Sequence, residues 1–158
     1  MDEKDYRILA ALAQNSRQSL RNVAKTSDVS LTTAHHRIEK LEKEGVIKKY
    51  TIEPDYNKLG LPMTSFILVN VDDVVLKQKN IDQHDLSKQL LKFAQVEEVA
   101  VLTGEYDLMI RARFPSVIEL DEFLIKKLRG HPGVLRTQTI INLRSFSSNI
   151  VLPDHNNA

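Results

Sequence analysis

The spacing of apolar residues changes character at Pro62, and the change divides the chain. Upstream, apolar side chains recur three and four positions apart, at Ile8, Leu9, Leu12 and Ala13 and again at Ala34, Ile38 and Leu41, which is helical periodicity. Downstream, blocks such as MTSFILVNV and YDLMIRARF read as strands, the second with an alternation of Leu108, Ile110 and Ala112. One periodicity cannot serve both structures, so the pattern predicts a helical domain followed by a sheet-based one.

In the first part, one helix ends near Asn15 and Ser16, and a second starts at Ser19 with Leu20, Val23 and Ala24 on one side. A third starts at Ser30, a residue type suited to the N-cap, and stops at Gly45. Val46 to Ile52 favours extended structure, with Pro54 limiting it. The run PDYNKLGLP collects turn formers and is expected to link the domains over residues 54–62. From residue 63 to 158 the order is strand, helix, strand, strand, helix, strand. That is a ferredoxin-like βαββαβ arrangement, an antiparallel sheet with both helices on one face, so the chain is expected to be α+β. The polar stretch between the first strand and the helix at Leu86, Leu90 and Phe93 reads as a solvated loop.

Composition excludes several classes of function. There is no cysteine, which removes thiolate metal sites and disulfide frameworks. No apolar run approaches the roughly 18 residues needed to span a bilayer, and the start MDEKDYRIL is acidic, unlike a signal peptide. A cytoplasmic protein with no membrane partner is expected. Net charge is +1, but the first 50 residues hold ten Lys and Arg against seven Asp and Glu, so the mild excess of positive charge lies on the helical part.

The third helix is where that charge acquires meaning. With Ala34, Ile38 and Leu41 as its buried line, Thr32, His36, Glu39, Lys40 and Lys43 point away, with Thr33 and His35 at the borders. A capped helix, a turn of four residues and a third helix bearing polar groups near its N-terminus form a helix-turn-helix, whose second member enters the DNA major groove. The candidate DNA-binding residues are Thr32, Thr33, His35, His36, Arg37 and Lys40, with Lys48 and Lys49 on a following hairpin as phosphate partners. Arg37 lies nearest the buried line and could instead brace the fold. Adjacent histidines diverge by about 100° on a helix. They are therefore not expected to share an ion, and neither a metal nor a cofactor is expected.

These residues carry a resemblance. Asp5, Ile8, Leu9, Leu12, Arg17, Ala24, Ser30, Arg37, Leu41, Gly45, Val46, Ile47 and Tyr50, then KLG, VLTGEYDLMIRARF and GVLRTQTIINL, resemble the Lrp/AsnC, or feast/famine, transcriptional regulators. The resemblance implies a winged helix-turn-helix over residues 1–53 and a RAM-type domain over 63–158 that senses an effector and assembles. Its implied partners are operator DNA, a second copy of the chain in a dimer, tetramer or octamer, and an amino-acid effector. Carried over by position, the effector residues are Thr103, Gly104, Glu105, Tyr106 and Asp107, with Thr137 and Thr139 on the last strand. Gly104 could merely shape a turn and Asp107 accept backbone N–H bonds within it. Asp28 departs from the pattern, standing where the family often has glycine; aspartate tolerates the left-handed conformation such a turn needs.

Two other classes compete. Siroheme decarboxylases share the architecture, but they favour a Phe-Pro pair where this chain has AQNSRQSL and a His-Asn-Tyr run where it has TGEYD. No acid–base pair of an enzyme converges in the pattern. An architectural DNA-binding protein with no effector is the other class, and its mark would be weak dependence on DNA sequence.

Overall fold

The computed structural model describes residues 1–146 and 151–153, and these divide into two compact units, Met1–Glu53 with Phe146 and residues 151–153, and Pro54–Ser145. His155 and the far end of the expected second domain lie outside the described residues.

Three helices build the first unit: α1 (Glu3–Gln14), α2 (Leu20–Thr26) and α3 (Leu31–Lys43). Each begins where a short polar side chain can accept an orphan N–H, with Asp2, Ser19 and Ser30 as the N-caps. Asp2 and Asp5 cap reciprocally, each carboxylate accepting the other's backbone N–H. Ile8, Ala11, Val23 and Leu41 form the buried centre, with Leu9, Leu12, Val29, Ile38 and Ile47 packed against it. Asp28 has φ 52°, the left-handed turn geometry expected of it. Gly45, φ 72°, ends α3 as expected. The segment after it differs from expectation: no residue from Val46 to Glu53 is in a strand. Pro54 and the turn at Asp55–Gly60 follow it at once.

The second unit is a four-stranded sheet in the order β2-β3-β1-β4, from β1 (Met63–Val71), β2 (Val96–Val101), β3 (Leu108–Phe114) and β4 (Val134–Asn142). Every neighbouring pair is antiparallel, which gives the expected ferredoxin-like arrangement. Its helices are α4 (Asp73–Lys79), α5 (Gln83–Leu90) and α6 (Val117–Phe123), the last running on into a π-helical turn at Leu124–Leu128. Ile67, Val69 and Val71 of β1 and Leu108, Ile110, Ala112 and Phe114 of β3 are buried with Leu86, Leu90, Leu120, Phe123 and Leu128 of the helices. Each of these side chains except Ala112 contributes about 1.5–3 kcal/mol relative to exposure. The polar stretch expected to be a solvated loop contains α4 instead. Asp72 caps it, Asn80 closes it at φ 52°, and Leu76 is its one buried residue, too few to show a period. Phe93 lies beyond the end of α5 rather than within it.

Gly133, just before β4, is closed in by this packing. A Cβ there would lie 2.9 Å from Leu86 Cδ1 and 3.1 Å from Leu76 Cδ2, so these two buried leucines must shift to admit it. Gly133→Ala is therefore expected to destabilise the second unit by about 1–3 kcal/mol. A lowered urea midpoint with unchanged slope is the measurement.

Candidate nucleic-acid interface and the β2–β3 connection

The turn into α3 is built by short-range bonds. Val29 N–H donates to Ala24 O and Asp28 N–H to Lys25 O. Ser30 Oγ accepts the Thr33 N–H at 3.1 Å and lies 2.8 Å from the Thr33 hydroxyl. Ala34 and Leu41 anchor the helix in the core, so Thr32, His35, His36 and Lys40 are exposed on its other side. Thr33 is half-buried and its hydroxyl belongs to the cap.

Arg37 faces inward. Its Nη1 donates to Asp2 Oδ2 at 2.5 Å and to Asp5 Oδ1 at 2.9 Å, and Asp5 is buried. The bond to Arg37 holds Asp2 below the usual carboxylate range. Burial alone would raise Asp5, but the same guanidinium outweighs it and Asp5 is lowered too. The two carboxylates raise Arg37 in turn, Asp5 foremost.

His35 and His36 do not keep apart. His35 Nδ1 lies 3.2 Å and His36 Nδ1 3.8 Å from the same oxygen, Glu39 Oε2. Their Cα–Cβ directions diverge, yet Glu39 is four residues from one and three from the other, and both spacings bring side chains together on a helix.

The arm that carries Lys48 and Lys49 is pinned to α3 at two points. Ile47 N–H donates to Leu41 O, and the Tyr50 hydroxyl donates to Glu42 Oε1 at 2.7 Å. Both lysines are exposed.

In the second unit the β2–β3 connection holds Gly104 at φ 124°, so that position requires glycine's freedom. Glu105 and Tyr106 gather with residues of β1 and β4. Asn70 Nδ2 donates to Glu105 O at 2.6 Å, and Arg136 Nη2 lies 3.6 Å from Glu105 Oε1. The Arg136 guanidinium lies 5.9 Å from the centre of the Tyr106 ring, and the Tyr106 hydroxyl donates to Gln138 Oε1. Asp107 is engaged in the fold: Oδ2 accepts the Val71 N–H at 2.9 Å and Oδ1 accepts from Gln83 Nε2. An open cavity of about 580 Å³ is lined by Asn70, Val71, Asp107, Leu135 and Arg136.

Comparison with known proteins gives this geometry a context. Residues 1–48 match a winged helix-turn-helix DNA-binding family, and residues 64–152 match the Lrp/AsnC ligand binding domain. The chain belongs to the Lrp/AsnC family. It is 34% identical over 153 residues to the HTH-type transcriptional regulator FL11 of Pyrococcus horikoshii, a match covering 97% of this chain and 96% of the relative. Its fold is similar to that of E. coli AsnC, with a TM-score of 0.82 at 27% identity, covering 97% and 99% of the two chains. It is also similar to a Neisseria meningitidis transcriptional regulator solved with L-Met, with a TM-score of 0.86 at 23% identity over 97% and 96%. The protein is thus an Lrp/AsnC-type transcriptional regulator with a DNA-binding and a ligand-binding domain. Among the described residues no helix is long and apolar enough to cross a membrane.

In this Lrp/AsnC regulator the residues expected to meet the effector fall on two sides of the sheet. Thr137 and Thr139 stand opposite Val69 and Ile67, whose side chains are buried on the helix face, and Thr137 accepts a bond from Arg129 Nε. Directly paired residues share a face, so both threonines point away from Asn70, Arg136 and Gln138, the face that Glu105 and Tyr106 join. Arg136, Gln138 and Asn70 are the members of this cluster that sequence reasoning missed. Their alternation with the threonines along β4 was visible, but which set shared a face with the hairpin depends on register with β1.

Tyr50 supplies a direct test of the arm's geometry. Burial first and the Glu42 bond second raise its phenol to about 12. The raised value means that the arm's attachment is intact below the unfolded value near 10 and is lost as pH rises through about 12. Ultraviolet titration of wild type against Tyr50→Phe should reveal one late-ionising phenol that the variant lacks.

Proposed function

We propose that this regulator binds operator DNA sequence-specifically as a homodimer or higher oligomer, with α3 in the major groove. Thr32, His35, His36 and Lys40 would meet base edges or phosphates, and Lys48 and Lys49 would meet phosphates from the arm. The observation that carries this is the exposed polar face at the N-terminal half of α3, fixed by the Ser30 cap and by burial of Ala34 and Leu41. Thr33 serves the cap, and Arg37 serves the fold through Asp2 and Asp5. Residues 1–53 form the DNA-binding part, 54–62 the connection and 63–158 the sensing and assembling part.

We further propose an amino-acid effector at the hairpin. Arg136 matches a carboxylate and Glu105 an ammonium group, while Thr103 and Gly104 at the exposed tip offer backbone and hydroxyl contacts. The L-Met complex of the Neisseria regulator supports this class of ligand. A non-enzymatic role follows the same relatives, which are named as transcriptional regulators.

The test is selection of bound sequences from a random duplex pool, followed by affinities for the winner and a scrambled control at two salt concentrations. A palindromic winner preferred by at least about 10³ is expected. Equal binding of both duplexes would replace this reading with an architectural protein, and binding of neither would remove DNA as the partner.

A further inference from the structure

We infer that His35, His36 and Glu39 form a transition-metal site on α3, taking Zn²⁺ or a similar imidazole-preferring cation. One ligand atom from each of the three lies within 4.8 Å of those of the other two. Donors around a tetrahedral zinc at its usual bond lengths stand about 3.4 Å apart. The distances of 3.2 and 3.8 Å from the two imidazole nitrogens to Glu39 Oε2 bracket that spacing. The rings stand at 75° to each other with centroids 5.9 Å apart, so neither blocks the other's nitrogen. All three side chains are exposed, so their torsions are free to bring the donors onto one ion. Imidazole and carboxylate together suit zinc, and three protein ligands leave a coordination position open to water.

The site gives a further role to a carboxylate that His35 and His36 already face. Glu39 lies amid groups that face DNA, where phosphates would repel it. Lys40 does not neutralise it, since its ammonium is 3.8 Å from Glu44. A divalent cation held by Glu39 removes the repulsion and at the same time occupies both imidazoles. The consequence, which rests on α3 being the DNA-reading helix, is that metal and base-edge recognition compete for His35 and His36. Saturating metal lowers affinity for the preferred duplex.

The experiment uses the full-length protein stripped with chelator and titrated with zinc chloride by calorimetry without DNA. One ion per chain is expected, with affinity lowered at least about tenfold in His36→Ala and in Glu39→Gln and unchanged in His84→Ala. These positions are exposed, so circular dichroism should show unaltered helicity. Absence of saturable binding, or binding unaffected by both substitutions, overturns the site. The selected duplex is then titrated with and without saturating zinc. Weakened binding supports competition, and unchanged binding overturns it while the zinc result stands. A protein that binds zinc and no duplex refutes the DNA reading of α3 and leaves the metal site intact.

Discussion

Arg37→Ala is expected to lower the urea midpoint of the helical unit, because it leaves the buried Asp5 carboxylate without its cationic partner. Asp5 is 1% exposed, and Arg37 is the cation that offsets its burial. Without the guanidinium, the Asp5 carboxylate keeps only the Asp2 N–H. The pH dependence also changes sign. In the native protein Asp2 and Asp5 are lowered, so their contribution is full above the ordinary carboxylate range and is lost as pH falls through the folded values. In Arg37→Ala, burial is left to raise Asp5, so the variant gains stability as pH falls toward the ordinary carboxylate range, where the native protein still keeps its full contribution. Urea denaturation across that range separates the two behaviours. Adding Asp5→Asn to Arg37→Ala should restore part of the loss, and a double-mutant cycle measures the coupling. If Arg37→Ala leaves stability unchanged and weakens only DNA binding, Arg37 belongs to the interface after all.

The same pair shows what the sequence could and could not convey. Ser30, Asp28 and Gly45 act through neighbours within one turn, so their roles as cap, left-handed turn and stop are legible in a short window. Strand positions are legible for a related reason, since half-buried strands alternate, and β1 spans Met63–Val71 where the apolar block lies. The Arg37 contact joins positions more than 30 residues apart, and only the folded packing of α1 on α3 brings them together. α4 was missed because its burial rests on Leu76 alone. Thr137 and Thr139 come from the family resemblance, and the face of β4 they occupy follows from its register with β1, which no short window shows. The i, i+4 spacing of His35 and Glu39 is legible in the sequence, whereas the approach of His36 to the same oxygen depends on side-chain torsions that the sequence does not convey.

Thr32→Ala combined with His36→Ala is expected to lower affinity for the selected duplex by about 10²–10⁴, at roughly 1–3 kcal/mol for each base-edge interaction removed. Affinity for a scrambled duplex should barely change. Both side chains are exposed on α3 and neither supports the core or the Ser30 cap, so stability should stay within about 0.5 kcal/mol of the native protein. Lys48→Ala with Lys49→Ala is the contrasting pair. Removing both ammonium groups from the phosphates weakens both duplexes alike and lowers the salt slope by about 1.8, at 0.9 per phosphate. The two patterns differ in kind, since base-edge contacts carry sequence information and phosphate contacts carry charge. If Thr32→Ala with His36→Ala weakened both duplexes equally, α3 would hold DNA without reading it. Specificity would then have to come from the shape and bending of the duplex, and the exposed face of α3 would be a docking surface of an architectural protein.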